Sequence, residues 1–452
     1  MPAVGPPDAV KFPPVVRRQL ANGMKVWTIV EPGLAVVSVA LVVPAGSAND
    51  PAERHGLVSL AGDLLDEGAG GRDAIALADA LSRLGSRLAI DVGPDVTAIS
   101  FAALARNFDP TLDVLADVLM RPHLADADFQ RVRDLRRNRL RQLRQASGTV
   151  ADRTFSAGVY GAHPYGHGTL GSTEALDRTT LGEVQSAWER LYRPVDSTLV
   201  VAGGVESDAV MRAVEAKLGA WTRNGQDLGS RFAGDSDRND SRGPSSSRIL
   251  LVDRPGSSQT ELRVGHNGPP RSAPEYHALV TLNAVLGGQF TSRLNRNLRE
   301  TRGITYGART AFDMYRHAGT FACETSVQAD ATAVAVQEIL AELTSIRTTG
   351  AVASDELAHA QASLTRGYVR HFETPAHHAR GLVEIAAYDL PADTFDRFVP
   401  AIGAITPDDV TRAANGALFP DACTVVAVGD AATLRGPLEA LGLPISAYEP
   451  EF

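Results

Sequence analysis

TLVVAGGV (198–205) and TVVAVGD (424–430) read as one buried strand and its exit turn written twice, and 226 residues separate Thr198 from Thr424 in a chain of 452. Upstream, TLGEV from Thr180 and TPDDV from Thr406 keep the same offset. Each is a Thr N-cap with carboxylates in the first turn, where they complement the helix dipole. A shorter offset, 222, aligns SLAGDLL from Ser59 with TLNAVLG from Thr281. Three matches in one order predict a duplicated unit. Between the copies lies RNGQDLGSRFAGDSDRNDSRGPSSSR (223–248), poor in large apolar side chains and dense in Gly, Ser, Asp and Asn. Such a stretch reads as a flexible linker. The expected organisation is a first half over 1–222, a linker over 223–248 and a second half over 249–452.

Inside each half, strand and helix signals are mixed. LANGMKV places Asn22-Gly23 between apolar runs, a hairpin signal. VVSVALVV (36–43) reads as a largely buried strand, and LAIDVG and VTAISF alternate as half-buried ones. Leu77, Leu81 and Leu84 follow helical spacing, and Asp126 to Arg144 is a long, Arg-rich helical stretch. The predicted class is α+β, with helices packed on a mostly antiparallel sheet in each half.

Composition narrows the function classes. With 44 basic and 53 acidic residues the formal charge is −9, which argues against a nucleic-acid binder. No apolar run is long enough to span a membrane. MPAVGPPDAVKFPP lacks the basic and apolar regions of a signal peptide; its Pro-rich start would suit the exposed beginning of a processed chain. That start sets the periplasm slightly ahead of the cytoplasm, which Met1 equally permits, and the compartment is otherwise open. Cys323 and Cys423 have no ligand or CxxC spacing and are expected as buried hydrophobes.

Five segments carry the chemistry: LANGMKV near the start, GLVSLAGDLLDEGAGG (56–71), His163-Pro164-Tyr165-Gly166, YRPVDSTLVVAGG closing the first half, and LNRNLRETRGITYGARTAF (294–312). Together they resemble the insulinase/pitrilysin-type zinc metallopeptidases, in the bacterial, processing-peptidase-like branch. The resemblance runs over nearly the whole chain and implies two duplicated α+β halves. The family's pattern after Gly-Leu supplies two zinc histidines one helical turn apart and a glutamate that deprotonates the bound water. Here the first histidine position holds Ser59, the glutamate position Gly62 and the second histidine position Asp63. The third ligand would be a glutamate on a helix some seventy-odd residues downstream. This chain has no glutamate between Glu67 and Glu174, and seven arginines from Arg131 to Arg144 stand on the expected helix, where they would repel a cation.

Arg299 and Tyr306, by contrast, match the family's spacing. The resemblance implies that they reach a zinc site and hydrogen-bond the oxygen on which peptide hydrolysis develops negative charge. Asn295 stands where the family usually has an aromatic, without touching either motif residue. Elsewhere the bland reading wins. His163 and His167 are separated by Pro164 and Gly166, which break a shared helix face. His377-His378 has no ligand spacing, Gly287-Gly288 lacks the P-loop lysine, and the arginine cluster suits a solvated face or an acidic partner.

The combined reading is the non-catalytic subunit of a heterodimeric zinc metalloendopeptidase. No cofactor is expected in this chain; zinc would sit in a homologous partner, and the substrate would be a peptide or unfolded segment entering a chamber between two bowl-like subunits. Two alternatives make different forecasts. A structural scaffold would tolerate substitution of Arg299 and Tyr306 silently. An independent peptidase with a non-standard site would retain metal in the isolated chain.

Overall fold

The duplication is visible in the backbone. The computed structural model describes Gly5 and residues 10–222, 246–348 and 352–452. Fourteen strands occur among them: β1 Val16–Gln19, β2 Lys25–Val30, β3 Val36–Val43, β4 Gly68–Ala69, β5 Arg72–Asp73, β6 Leu88–Val92, β7 Thr97–Leu104, β8 Thr198–Gly203, β9 Arg248–Asp253, β10 Gln259–Gly268, β11 Thr305–Met314, β12 Gly319–Gln328, β13 Thr424–Gly429 and β14 Ile445–Ala447. The helices that matter below are α1 Leu57–Asp63, α2 Asp126–Gln145, α3 Ser147–Tyr160, α4 Leu181–Leu191, α5 Tyr276–Leu286, α6 Pro375–Tyr388 and α7 Pro407–Ala417.

Two mixed six-stranded sheets form, ordered β1-β2-β8-β3-β7-β6 and β11-β12-β10-β13-β9-β14. In the first, β8 runs parallel to β2 with Thr198 opposite Lys25, and antiparallel to β3 with Thr198 opposite Val42. In the second, β13 runs parallel to β9 with Thr424 opposite Arg248, and antiparallel to β10 with Thr424 opposite Gly265. Only the sixth strand differs. β1 reaches β2 through the Asn22-Gly23 hairpin, where Gly23 takes the positive φ (+88°) that the turn requires. β14 instead arrives after a helix and lies parallel to β9.

Local chemistry explains the matching helix starts. The Thr180 hydroxyl accepts from Glu183 N at 3.3 Å while the Glu183 carboxylate accepts from Thr180 N at 2.8 Å. Thr406 and Asp409 repeat this at 3.2 and 2.8 Å. Two reciprocal capping boxes therefore open α4 and α7. They stand at the predicted offset.

Each sheet carries its own core on one face. On the other face the halves exchange a helix. α3, from the first half, packs on β10 and β13, with Val150, Ala151 and Phe155 against Leu250, Val252, Val426 and Val428. α6, from the second half, packs on β3 and β8, with Ala379, Leu382 and Ile385 against Ile29, Ala40, Val200 and Ala202. Each half thus buries an apolar sheet face that it cannot cover alone.

Polar contacts pin the same junction. Tyr165, from the His163–Gly166 turn, donates to the Asp95 carboxylate, whose other oxygen accepts from Arg316 N at 2.8 Å. His378 Nδ1 meets Glu31 Oε1 at 2.9 Å, so the second of the paired histidines is a buried cross-half contact. The Tyr165 motif works as a clamp between halves.

Residues 223–245 of the expected linker lie outside the described residues. Its last two residues already belong to the second half: Ser247 is buried and accepts from Cys423 N, and Arg248 opens β9. Cys323 and Cys423 are both free and buried. No described helix is long and apolar enough to cross a membrane.

Candidate functional site

Two places hold the residues singled out from sequence. The first is α1. Gly56, at φ +94°, turns the chain into the helix and crosses the backbone of Leu170 so closely that a Cβ would lie 2.5 Å from its carbonyl oxygen. Asp50 caps the helix from outside, accepting from Gly56 N at 2.6 Å and Val58 N at 2.8 Å. Burial pushes the Asp50 carboxyl up to about 7, against the pull of those two N–H groups.

On α1, Ser59 is buried, Gly62 is buried and the Asp63 side chain is half exposed. Gly62 faces β6: a Cβ there would stand 2.8 Å from Val92 Cγ2. The glutamate position of the resembling motif is therefore sterically crowded. Beside it lies a cleft of about 510 Å3 lined by Asp63, Asp66, Glu67, Arg87 and apolar residues of α2 and β6. Burial, then the neighbouring Glu67 charge, raises the Asp66 carboxyl.

The decisive side chain comes from α2. Phe129, Val132, Arg136 and Leu140 form its buried stripe, so Arg136 occupies a core-facing position rather than the solvated face expected for the arginine cluster. Its guanidinium donates to Gly56 O at 2.9 Å, to Ser59 Oγ at 2.8 Å and to the Asp63 carboxylate. The Arg136 side chain is only 2% exposed. Other cluster arginines do what was expected: Arg131 pairs with Glu67 and Asp128, and Arg137 with Asp134 and Asp177, at the surface.

Zinc would need about four N, S or O ligands at roughly 2.0–2.3 Å around one point. Here one hydroxyl and one carboxylate converge, and a cation that cannot lose its proton donates to both. The residues present do not fit a zinc ion. Among the described residues no group of three His, Cys, Asp or Glu is disposed to hold a metal.

The second place is the segment before β11. Arg293–Asn295 starts a helix that widens into a π turn over Arg296–Thr301, and this turn packs against β11. Arg299 stands in it. Its guanidinium lies over the Phe290 ring, 3.5 Å from the centroid, with Glu300 Oε1 at 3.7 Å. Arg299 Nη1 has no hydrogen-bond partner among the described residues.

Tyr306 sits on the edge strand β11 where the register against β12 slips between Thr305 and Ala308. The bulge throws its ring outward, 93% exposed. No hydrogen bond or ion pair among the described residues links Arg299 or Tyr306 to α1. The bulge exposes Tyr306, while the π turn leaves the Arg299 side chain partly buried, 24% exposed.

Asn295, which the sequence marked only as a deviation, builds that bulge. Its buried amide donates to Ala308 O at 2.7 Å and to Gln289 O at 2.9 Å, and accepts from Ala308 N at 2.9 Å. One side chain thereby replaces a neighbouring strand's backbone just beyond Tyr306. Gly287, flagged for its glycine pair, is explained by contact: a Cβ would meet Thr310 N of β11 at 2.8 Å.

Known proteins agree with this architecture. The model described as "Insulinase (Peptidase family M16)" matches residues 25–173, and "Peptidase M16 inactive domain" matches residues 178–364. An uncharacterized zinc protease of Mycobacterium tuberculosis is 26% identical over 374 residues, 82% of each chain. Another, of Bacillus subtilis, is 22% identical over 305 residues, 68% of this chain and 72% of that one. The mitochondrial-processing peptidase subunit beta of Caenorhabditis elegans is 22% identical over 213 residues, 47% and 46%. Among solved structures, a peptidase M16 inactive domain from Pseudomonas fluorescens superposes with a TM-score of 0.83 at 22% identity, covering 96% of this chain and all of that one. A protease from Helicobacter pylori gives 0.85 at 17% identity, covering 93% and 100%. With the two matched segments lying in tandem across both halves of the fold, the chain belongs to the M16, insulinase-type peptidase family.

Proposed function

We propose that this chain is the non-catalytic subunit of a two-chain zinc metalloendopeptidase, and that it contributes Arg299 and Tyr306 to a site whose metal lies in a homologous partner. One observation carries the reading: an arginine stands where the metal site would be, while Arg299 and Tyr306 keep the family spacing and Tyr306 is held outward. Tyr306, with its ring almost wholly in solvent, has no packing role in its own chain to explain it. The family includes a protein named as a subunit, the worm processing peptidase subunit beta, which is consistent with pairing.

In the assembled site the partner would supply zinc and the water it activates. The residues of this chain would act on the scissile carbonyl. The Arg299 guanidinium and the Tyr306 hydroxyl would donate to its oxygen, more strongly as the tetrahedral intermediate develops charge, and such a donor is worth about 10²–10³-fold in rate. The contact of Arg299 with the Phe290 ring would hold the guanidinium plane. Substrates would be peptides or unfolded segments.

The test is co-expression with a zinc-bearing homologue, ideally from an adjacent gene. Peptide hydrolysis should need both chains, vanish with a chelator, and fall at least tenfold for Arg299→Ala. Full activity of the partner alone would sink the proposal.

A further inference from the structure

Arg136 does more than fill space. It bridges the carbonyl of Gly56 at the start of α1, the hydroxyl of Ser59 one turn on, and the carboxylate of Asp63 at its end. All three acceptors lie on one flank of α1, and the donor comes from the centre of α2. A metal bound by ligands from two helices ties those helices together and neutralises their acceptors. A guanidinium fixed by three acceptors does the same with a charge that cannot dissociate.

We propose that Arg136 is a resident cation: its guanidinium takes the place of a metal ion in the first half, ties α1 to α2, and by its presence keeps the position closed to divalent metal. This goes beyond the partner-subunit reading and does not depend on it, because it concerns only the fold and metal affinity of this chain.

Several features agree. The three acceptors account for both terminal nitrogens of Arg136, so the side chain is committed to this place. Asp50, buried at the other side of the α1 N-terminus, feels the Arg136 charge, which lowers its carboxyl against the larger effect of burial. The stripe that carries Arg136 is otherwise apolar, with Phe129, Val132 and Leu140 buried beside it. A charged residue in such a stripe must be paired. Here it is paired to the positions where a metal site would need ligands.

The test uses the full chain and reads metal binding and thermal unfolding, not proteolysis. Two histidines are placed on α1 by Ser59→His and Asp63→His, with Arg136 kept, replaced by Glu, or replaced by Ala. With Arg136 kept, zinc should leave Tm unmoved and bind below about 0.1 equivalent by elemental analysis, because the neighbouring guanidinium, still bonded to Gly56 O, repels it. With Arg136→Glu, which completes a set of two histidines and a carboxylate, zinc should raise Tm and approach one equivalent, and with Arg136→Ala uptake should be smaller but above that with Arg136 kept. Equal zinc uptake with Arg136 kept overturns the proposal, and so does failure of both replacements to take up zinc.

A second variant guards against misfolding of the histidine series. Arg136→Met keeps much of the length and removes the donors, orphaning Ser59 Oγ and leaving Gly56 O with its bond from Leu60 N alone. Its Tm should fall by at least about 3 °C. Tm equal to that of the unsubstituted chain would overturn the tie between α1 and α2.

Discussion

The exchange of helices makes a prediction about how the whole chain unfolds. Leu382 of α6 is fully buried, in a cluster with Ile29, Ala40, Val200 and Ala202 of the other half's sheet. Leu382→Ala removes three carbons, each worth about 0.8 kcal/mol on burial, and leaves a cavity between helix and sheet. The expected loss is about 3–4 kcal/mol. All 3 tryptophans, Trp27, Trp188 and Trp221, lie in the first half, and Trp27 packs against the α6 cluster itself. Tryptophan fluorescence therefore reports the half that does not contain the substitution, while far-UV circular dichroism reports both. Denaturant unfolding should give one coincident transition by the two probes, moved to lower denaturant by the full amount. A fluorescence midpoint left at its original value, with an earlier phase in circular dichroism alone, would refute the claim that each sheet depends on the other half's helix. Val150→Ala, in α3, should behave as the mirror case.

Three further outcomes follow from the geometry. His266 is 1% exposed, and its Nε2 accepts from Phe419 N at 3.0 Å while Nδ1 faces Asn267 O at 2.7 Å, which fixes the neutral ring. Burial pushes it down to about 4. Because the folded value lies below the unfolded one of about 6.5, this stability is present above pH 6.5 and lost as pH falls toward 4, on the order of 3 kcal/mol; ring NMR signals titrating near 6.5 in the native protein would contradict it. Asn295→Ala should cost about 2–3 kcal/mol by orphaning Ala308 N and O, and should speed amide exchange at Ala308 more than in the centre of β12. Tyr165→Phe should loosen the junction by about 1–2 kcal/mol in thermal unfolding, since the Asp95 carboxylate keeps its bond to Arg316 N but loses the phenol.

The fold was legible where local chemistry repeats. The Thr180 and Thr406 caps, the β8 and β13 strands and the Asn22-Gly23 hairpin each follow from short-range rules, and each stands where its residues put it. The exchange of α3 and α6 was not legible, because an amphipathic helix states that it has an apolar face but not which sheet covers it. The role of Arg136 carried a signal that counting charges concealed. Its spacing from Phe129, Val132 and Leu140 puts it on the apolar stripe, while Arg131 and Arg137 fall outside it. Asn295 left no such mark: a polar residue before a strand reads as a loop, and only the bulge at Tyr306 explains its burial. The Tyr165 motif likewise needed three distant segments, around Asp95, Tyr165 and Arg316, to be brought together.

The most direct measurement of the central claim is peptide hydrolysis by the reconstituted pair, this chain with its zinc-bearing partner, comparing unsubstituted chain with Tyr306→Phe at matched complex concentration. The exposed phenol makes no hydrogen bond in its own chain among the described residues, so its loss should leave folding and pairing intact. The account predicts kcat/KM reduced by tenfold or more with unchanged assembly. Hydrolysis at the full rate by that pair would contradict it.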